Sequence, residues 1–184
     1  MGNDNLVNFF DAQNFDDSES GSESWKPVKI YGKQLFKKAI DILNLSQTIC
    51  DVLPERKHAE VTRSLMMENT ITVTTKIKGA MAADNVYSLV MENAVIIKVN
   101  MCQLKDQLWA CEAIHNVEER YLDVLKKEIK TCKKIFIQWV GSFDKERDLP
   151  DEWHLFNDPA NFPDDDKPFD ARDFSDNSNP DNDL

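Results

Sequence analysis

The sequence predicts an all-α protein, an antiparallel up-down four-helix bundle between disordered acidic N- and C-terminal tails. Apolar residues recur at helical spacing in four stretches of 20 or more residues joined by short connections, which is the pattern of a bundle whose neighbours are antiparallel. Charge is segregated as well. Residues 1–24 hold six acids and no base, residues 25–148 hold 20 bases and 16 acids, and residues 149–184 hold two bases and 11 acids. Segment charges of −6, +4 and −9 thus lie behind the total of −11, so the acidity belongs to the ends and the middle is mildly basic.

The first helical stretch, about residues 31–53, sets Leu35, Ala39, Ile42, Ile49 and Leu53 on one stripe with Phe36, Ile40 and Leu43 beside it, and Pro54 supplies a stop. The second, about 57–79, carries Val61, Leu65, Asn69, Val73 and Ile77, spaced by fours. The third, 84 to about 115, carries Val86, Val90, Asn93, Ile97, Met101, Leu104, Leu108 and Cys111. The fourth, about 117–143, carries Tyr121, Leu125, Ile129, Cys132, Phe136, Trp139 and Phe143.

Against this stands Thr70-Ile71-Thr72-Val73-Thr74-Thr75, a β-branched run that reads as a strand on propensity alone. An internal repeat outweighs it. Met67-Glu68-Asn69-Thr70-Ile71-Thr72-Val73 recurs as Met91-Glu92-Asn93-Ala94-Val95-Ile96-Ile97, and the second copy sits in strongly periodic helical sequence. The two stretches then form a helical hairpin turning between Gly79 and Asp84, with Asn69 and Asn93 each about 14 Å from the turn and facing one another. A buried amide requires a partner, so Glu68, Asn69, Glu92 and Asn93 are expected to make a structural polar layer that sets helix register.

Both ends are too poor in apolar residues to offset the entropy of ordering and read as disordered. Within the second, Asp151 to Phe156 places Trp153, Leu155 and Phe156 together and is expected to dock. No apolar run reaches the length of a membrane span, and the first ten residues lack the pattern of a secretory signal, so a cytoplasmic location is expected. Cys50, Cys102, Cys111 and Cys132 are scattered singly, as reduced core residues are.

Catalytic signatures are absent from the sequence, and five glycines leave little material for phosphate-cradling loops. Glu55-x-x-His58 and Glu112-x-x-His115 imitate the ligand pairs of di-iron bundles, with Glu68 and Glu92 as bridges. In an up-down bundle, however, both histidines fall at one end while Glu68 lies ten residues deeper, roughly 15 Å away at helical rise. No enzyme activity, cofactor or metal is expected. The available positive surface is Lys29, Lys33, Lys37 and Lys38 on the first helix and Lys126, Lys127, Lys130, Lys133 and Lys134 on the fourth.

Lys76-Ile77-Lys78-Gly79-Ala80 at the end of the second helix, Leu104 and Gln107-Leu108 in the third and Glu119-Arg120-Tyr121 at the start of the fourth make a recognisable pattern. So do Met91 to Ile97, Phe136-x-x-Trp139-Val140 and Asp151-Glu152-Trp153-His154-Leu155-Phe156. By these, residues 31–145 resemble the four-helix-bundle family of proteins encoded in intervening sequences of large-subunit ribosomal RNA and the accessory variability protein of diversity-generating retroelements. The chain departs from many members in having Lys78 where they carry an acid before the glycine. The resemblance implies ring-like homo-oligomers and, for the retroelement protein, a basic surface that contacts nucleic acid while assisting a reverse transcriptase. The expectation is therefore a non-enzymatic, homo-oligomeric scaffold or accessory protein acting through protein contacts, with a nucleic-acid-binding accessory module as the alternative. Asp164-Asp165-Asp166-Lys167-Pro168-Phe169 also resembles the acidic tips with which single-stranded DNA-binding proteins recruit partners.

Overall fold

The computed structural model describes residues 26–83, 86–149, 153, 155 and 156, and tertiary contacts divide the chain after Asp148. In the first unit four helices, α1 (Lys26–Val52), α2 (Lys57–Ala82), α3 (Tyr87–Ala113) and α4 (Glu119–Gly141), form an all-α bundle. Each helix packs on the next and α4 returns to α1, while the seam between α3 and α4 is the thinnest of the four. None of the described helices is long and apolar enough to cross a membrane.

α1 begins with Pro27 in its first turn, where the missing N–H costs nothing, and ends ahead of Pro54. Its last carbonyls are claimed from another helix. Arg63 of α2 donates from Nε to the Cys50 carbonyl at 3.1 Å and from its terminal nitrogen to the Leu53 carbonyl at 3.2 Å, placing a cation on the negative end of the α1 dipole.

The threonine run of α2 is helical throughout. Thr70, Thr74 and Thr75 donate their hydroxyls to the carbonyls of Met66, Thr70 and Ile71 at 3.0, 2.8 and 2.9 Å. That back-bonding lets Thr70 and Thr74 sit buried without an orphan hydroxyl, and a β-branched side chain packs as valine does.

No local side chain caps α3. Instead the segment after α4 folds over its start: the Tyr87 N–H donates to the Arg147 carbonyl at 3.0 Å and the Ser88 N–H to Asp148 Oδ1 at 3.0 Å. The carboxylate thus acts as an N-cap supplied from 60 residues away. At the other end of α3, Asn116 takes the left-handed conformation with φ of 55°, which asparagine tolerates, and the Val117 N–H returns to the Cys111 carbonyl at 3.0 Å.

The core runs the length of the bundle, from Val28, Trp139 and Ala80 at one end to Leu53, Ala59 and Cys111 at the other. Trp139 packs edge-on against Phe143 at 4.8 Å between ring centres. Gly32 permits the closest approach here, since a Cβ on it would meet Met81 Sδ at 2.9 Å and Trp139 Nε1 at 3.3 Å. Among the described residues, Trp139 Nε1 and Ser46 Oγ are buried without a hydrogen-bond partner.

Three expectations are corrected. The hairpin turns between Ala82 and Tyr87, a little later than the expected turn between Gly79 and Asp84, because glycine lowers helix propensity without breaking a helix whose neighbours hold it. The spacing by fours in α2 holds for Asn69, Val73 and Ile77 but fails towards the N-terminus, where Thr62 and Met66 are buried while Val61 and Leu65 are 55% and 41% exposed. Each step of four overshoots a full turn by about 40°, so a strict series walks off the core face. On α4 the same drift puts Leu122 in the core and leaves Tyr121 outside, its ring under the Arg120 guanidinium at 4.8 Å. Of the four bulky aromatics Trp109, Phe136, Trp139 and Phe143, Trp139 and Phe143 are buried and Phe136 half-buried, while Trp109 lies outside.

The expected disorder of residues 1–24 and of the C-terminal end falls outside the described residues. Of 151–156 only three positions are described, with Trp153 and Leu155 exposed and Phe156 half-buried.

Burial pushes the thiols of Cys50, Cys111 and Cys132 up to about 12, 11 and 12, while Cys102 is exposed. Unfolded, these thiols ionise near 9.0, so above that pH the unfolded chain binds fewer protons than the folded one and stability falls as pH rises. Titration with a thiol reagent at pH 8 should modify one cysteine of the native protein rapidly and all four only in denaturant; rapid reaction of two or more natively would contradict the burial.

Candidate functional site

Four contacts define how α2 lies on α3. Thr62 Oγ1 meets His115 Nε2 at 3.0 Å, Met66 Sδ receives the Cys111 thiol at 3.6 Å, the Asn69 amide donates to Gln107 Oε1 at 2.8 Å, and a Cβ on Gly79 would lie 3.4 Å from Asn93 Oδ1. The expected pairing of Asn69 with Asn93 is therefore replaced by pairing of Asn69 with Gln107. With Asn69 level with Gln107 and Asn93 level with Gly79, the two asparagines lie ten residues apart along α2, an axial offset of about 15 Å. Asn93 is half-buried and donates to the Leu89 carbonyl of its own helix at 2.8 Å. Glu68 is exposed and Glu92 half-buried. The repeat survives as a core pattern, since Thr70 and Ala94, and Val73 and Ile97, are buried as equivalent pairs.

The Glu-x-x-His pairs come apart in the same way. Glu55 and His58 are exposed, His115 is held by Thr62, and Glu112 accepts from Lys126 at 2.9 Å. Among the described residues no group of three His, Cys, Asp or Glu is placed to hold a metal ion.

α4 is tied down on both flanks. Towards α1, Lys38 Nζ bridges Glu128 at 2.7 Å and Asp41 at 2.9 Å, and these hydrogen bonds, that to Glu128 foremost, hold its ammonium above the usual lysine range. Towards α3, the bond from Lys126 to Glu112 does the same for Lys126. Of the predicted basic surface, Lys127, Lys130, Lys133 and Lys134 are exposed and Lys126 is half-buried.

Where the Glu112–Lys126 pair spans the thin seam, it borders a groove of about 340 Å³. Leu108 and Ile129 are buried beneath it, Lys105 and Trp109 complete its lining with the pair itself, and Trp109 is 65% exposed. Sequence reasoning missed this groove, although exposed Trp109 beside a buried stripe at 104, 108 and 111 was its available signal. The lining has no paired nucleophile and base. It offers an apolar floor, an aromatic wall and ammonium groups, the chemistry of a binding surface for an acidic, apolar ligand.

No family model matches the chain, and neither a curated protein nor a solved structure is significantly similar to it.

Because Asn69 is buried against Gln107 while Asn93 returns to its own helix, the two asparagines differ in consequence. Asn69→Ala should cost about 1–3 kcal/mol by removing the buried hydrogen bond and leaving the half-buried Gln107 amide without its partner, with Asn93→Ala well below that. Equal melting temperatures for the two variants would contradict the register described.

Proposed function

We propose that the protein is a non-enzymatic, cytoplasmic, homo-oligomeric scaffold or accessory protein that works through protein contacts. The observation that carries this is an apolar stripe on the outer face of the α2–α3 hairpin. Val61 and Ile114, 55% and 57% exposed, lie one residue outward from the Thr62–His115 contact. Leu65, 41% exposed, is placed likewise beside the Met66–Cys111 contact, next to half-buried Ala110. Side chains of this kind on one rim of a tightly packed helix pair are material for a symmetric interface, in which the same patch serves both subunits. The resemblance to ring-forming four-helix bundles points the same way.

In light scattering at micromolar concentration the chain should give a multiple of its own mass, and the double variant Val61→Glu, Leu65→Glu should return it to a single chain with helical circular dichroism intact. A single-chain mass for the unaltered protein would end this reading.

A second reading, binding of single-stranded nucleic acid, is favoured by the composition of α4. Between Lys126 and Phe143 lie five lysines and one acid, Glu128, which is engaged by Lys38 on the flank away from the exposed lysines. Binding to single-stranded RNA at low salt should weaken steeply with ionic strength, with a log–log slope of about −0.7 for each phosphate neutralised, and Lys130→Glu with Lys134→Glu should abolish it. Absence of low-salt binding by the unaltered protein would remove this second reading and leave the first.

A further inference from the structure

Along α3, Lys105, Leu108, Trp109 and Glu112 follow one another at steps that keep them on one face, and on α4 Lys126 and Ile129 do the same. These six side chains line the groove of the thin α3–α4 seam, and their charges do not balance. Lys126 and Glu112 neutralise each other at 2.9 Å, whereas Lys105 makes no ion pair among the described residues. One ammonium is therefore left over at the groove. One turn along the same helix Trp109 is 65% exposed, beside a floor of Leu108 and Ile129 whose side chains offer neither donor nor acceptor.

That lining restricts what the groove can hold. The part of a ligand against the floor must be hydrocarbon, because the hydroxyls of a sugar or the edges of a nucleobase would lose water there without gaining a partner. Against an indole, a flat ring makes a favourable offset stack. The charge that the lining leaves unmatched calls for a single anion, and Glu112, held by Lys126, is not free to receive a cation. Residues four apart on a helix have Cβ atoms about 5–6 Å from one another, so Lys105 and Trp109 are spaced on the scale that separates acid from ring in an arylacetate.

We propose that this groove binds a small aromatic monocarboxylate, with its ring against Trp109 over Leu108 and Ile129 and its carboxylate on Lys105. A volume of about 340 Å³ is at the small end of ligand pockets and suits one fused ring system with its acid. A stable protein contact takes about 800 Å² on each partner, far more than six side chains supply, so the occupant is a free molecule. The site uses none of Val61, Leu65 and Ile114 and does not depend on self-association.

Naphthaleneacetate should be titrated into the full-length chain while the indole N–H signals are followed by NMR, with the Trp109 signal assigned by its loss in Trp109→Phe. That signal should shift and the signal of buried Trp139 should stay in place, with a Kd on the order of 1 mM, the affinity of a ligand this small in an open groove. The neutral naphthaleneacetamide should bind about threefold more weakly, the effect of one solvent-exposed charge pair, and Lys105→Gln should bring the two ligands to the same affinity. Trp109→Ala should abolish saturation transfer to both. Lys105 and Trp109 are exposed, so both variants should keep the circular dichroism and Tm of the unaltered chain. An unmoved Trp109 signal at several times the expected Kd would overturn the proposal. So would equal affinity of the unaltered chain for the acid and the amide, or tighter binding of adenosine monophosphate than of naphthaleneacetate.

Discussion

The register of α2 on α3 is the constraint on which the remainder of this bundle rests. α2 has a polar interior, with Thr62, Asn69, Thr70 and Thr74 buried, so it cannot slide along its neighbour as a leucine stripe could. The threonines settle their hydroxyls within the helix, but the Asn69 amide needs a partner from outside and finds it in Gln107. A shift of one turn would bury that amide unpaired at a cost comparable to a sizeable fraction of a small domain's stability. Polar groups of this kind trade some stability for a unique alignment, as they do at single core positions of coiled coils.

Once that alignment is set, the helix ends are completed by residues remote in sequence. Arg63 can close the end of α1 because its own position on α2 is determined, and Asp148 can cap α3 because α4 returns to the same end of the bundle. Neither α3 nor α4 has a side-chain cap of its own. Local helix signals are weak here, and tertiary capping makes the four helices a cooperative unit rather than four independent ones.

The same geometry distributes surface character. Tight packing of α2 on α3 pushes Val61, Leu65 and Ile114 to a shared outer rim, whereas α4 leans towards α1 through the Lys38–Glu128 bridge and leaves a charged groove on its other side. One face is apolar, while the other is cationic around an apolar floor.

Helical periodicity and the positions of prolines determined the four helices, their order and most of the core, down to Leu35, Ile42, Ile97, Leu108 and Ile129. The repeat determined that the threonine run is helical, since its second copy carries the same burial pattern without the β-branched ambiguity. What only the tertiary structure decided was axial position and partner. Periodicity specifies the angle of a side chain about its helix but carries no information on how far one helix has slid along the next. Asn69 was therefore legible as a buried amide, but its bond to Gln107 was not, nor was the offset that separates it from Asn93. The lysines of α4 were legible as a basic face, but not the groove beside them, because a groove is a property of the distance between two helices and that distance depends on packing on their far sides.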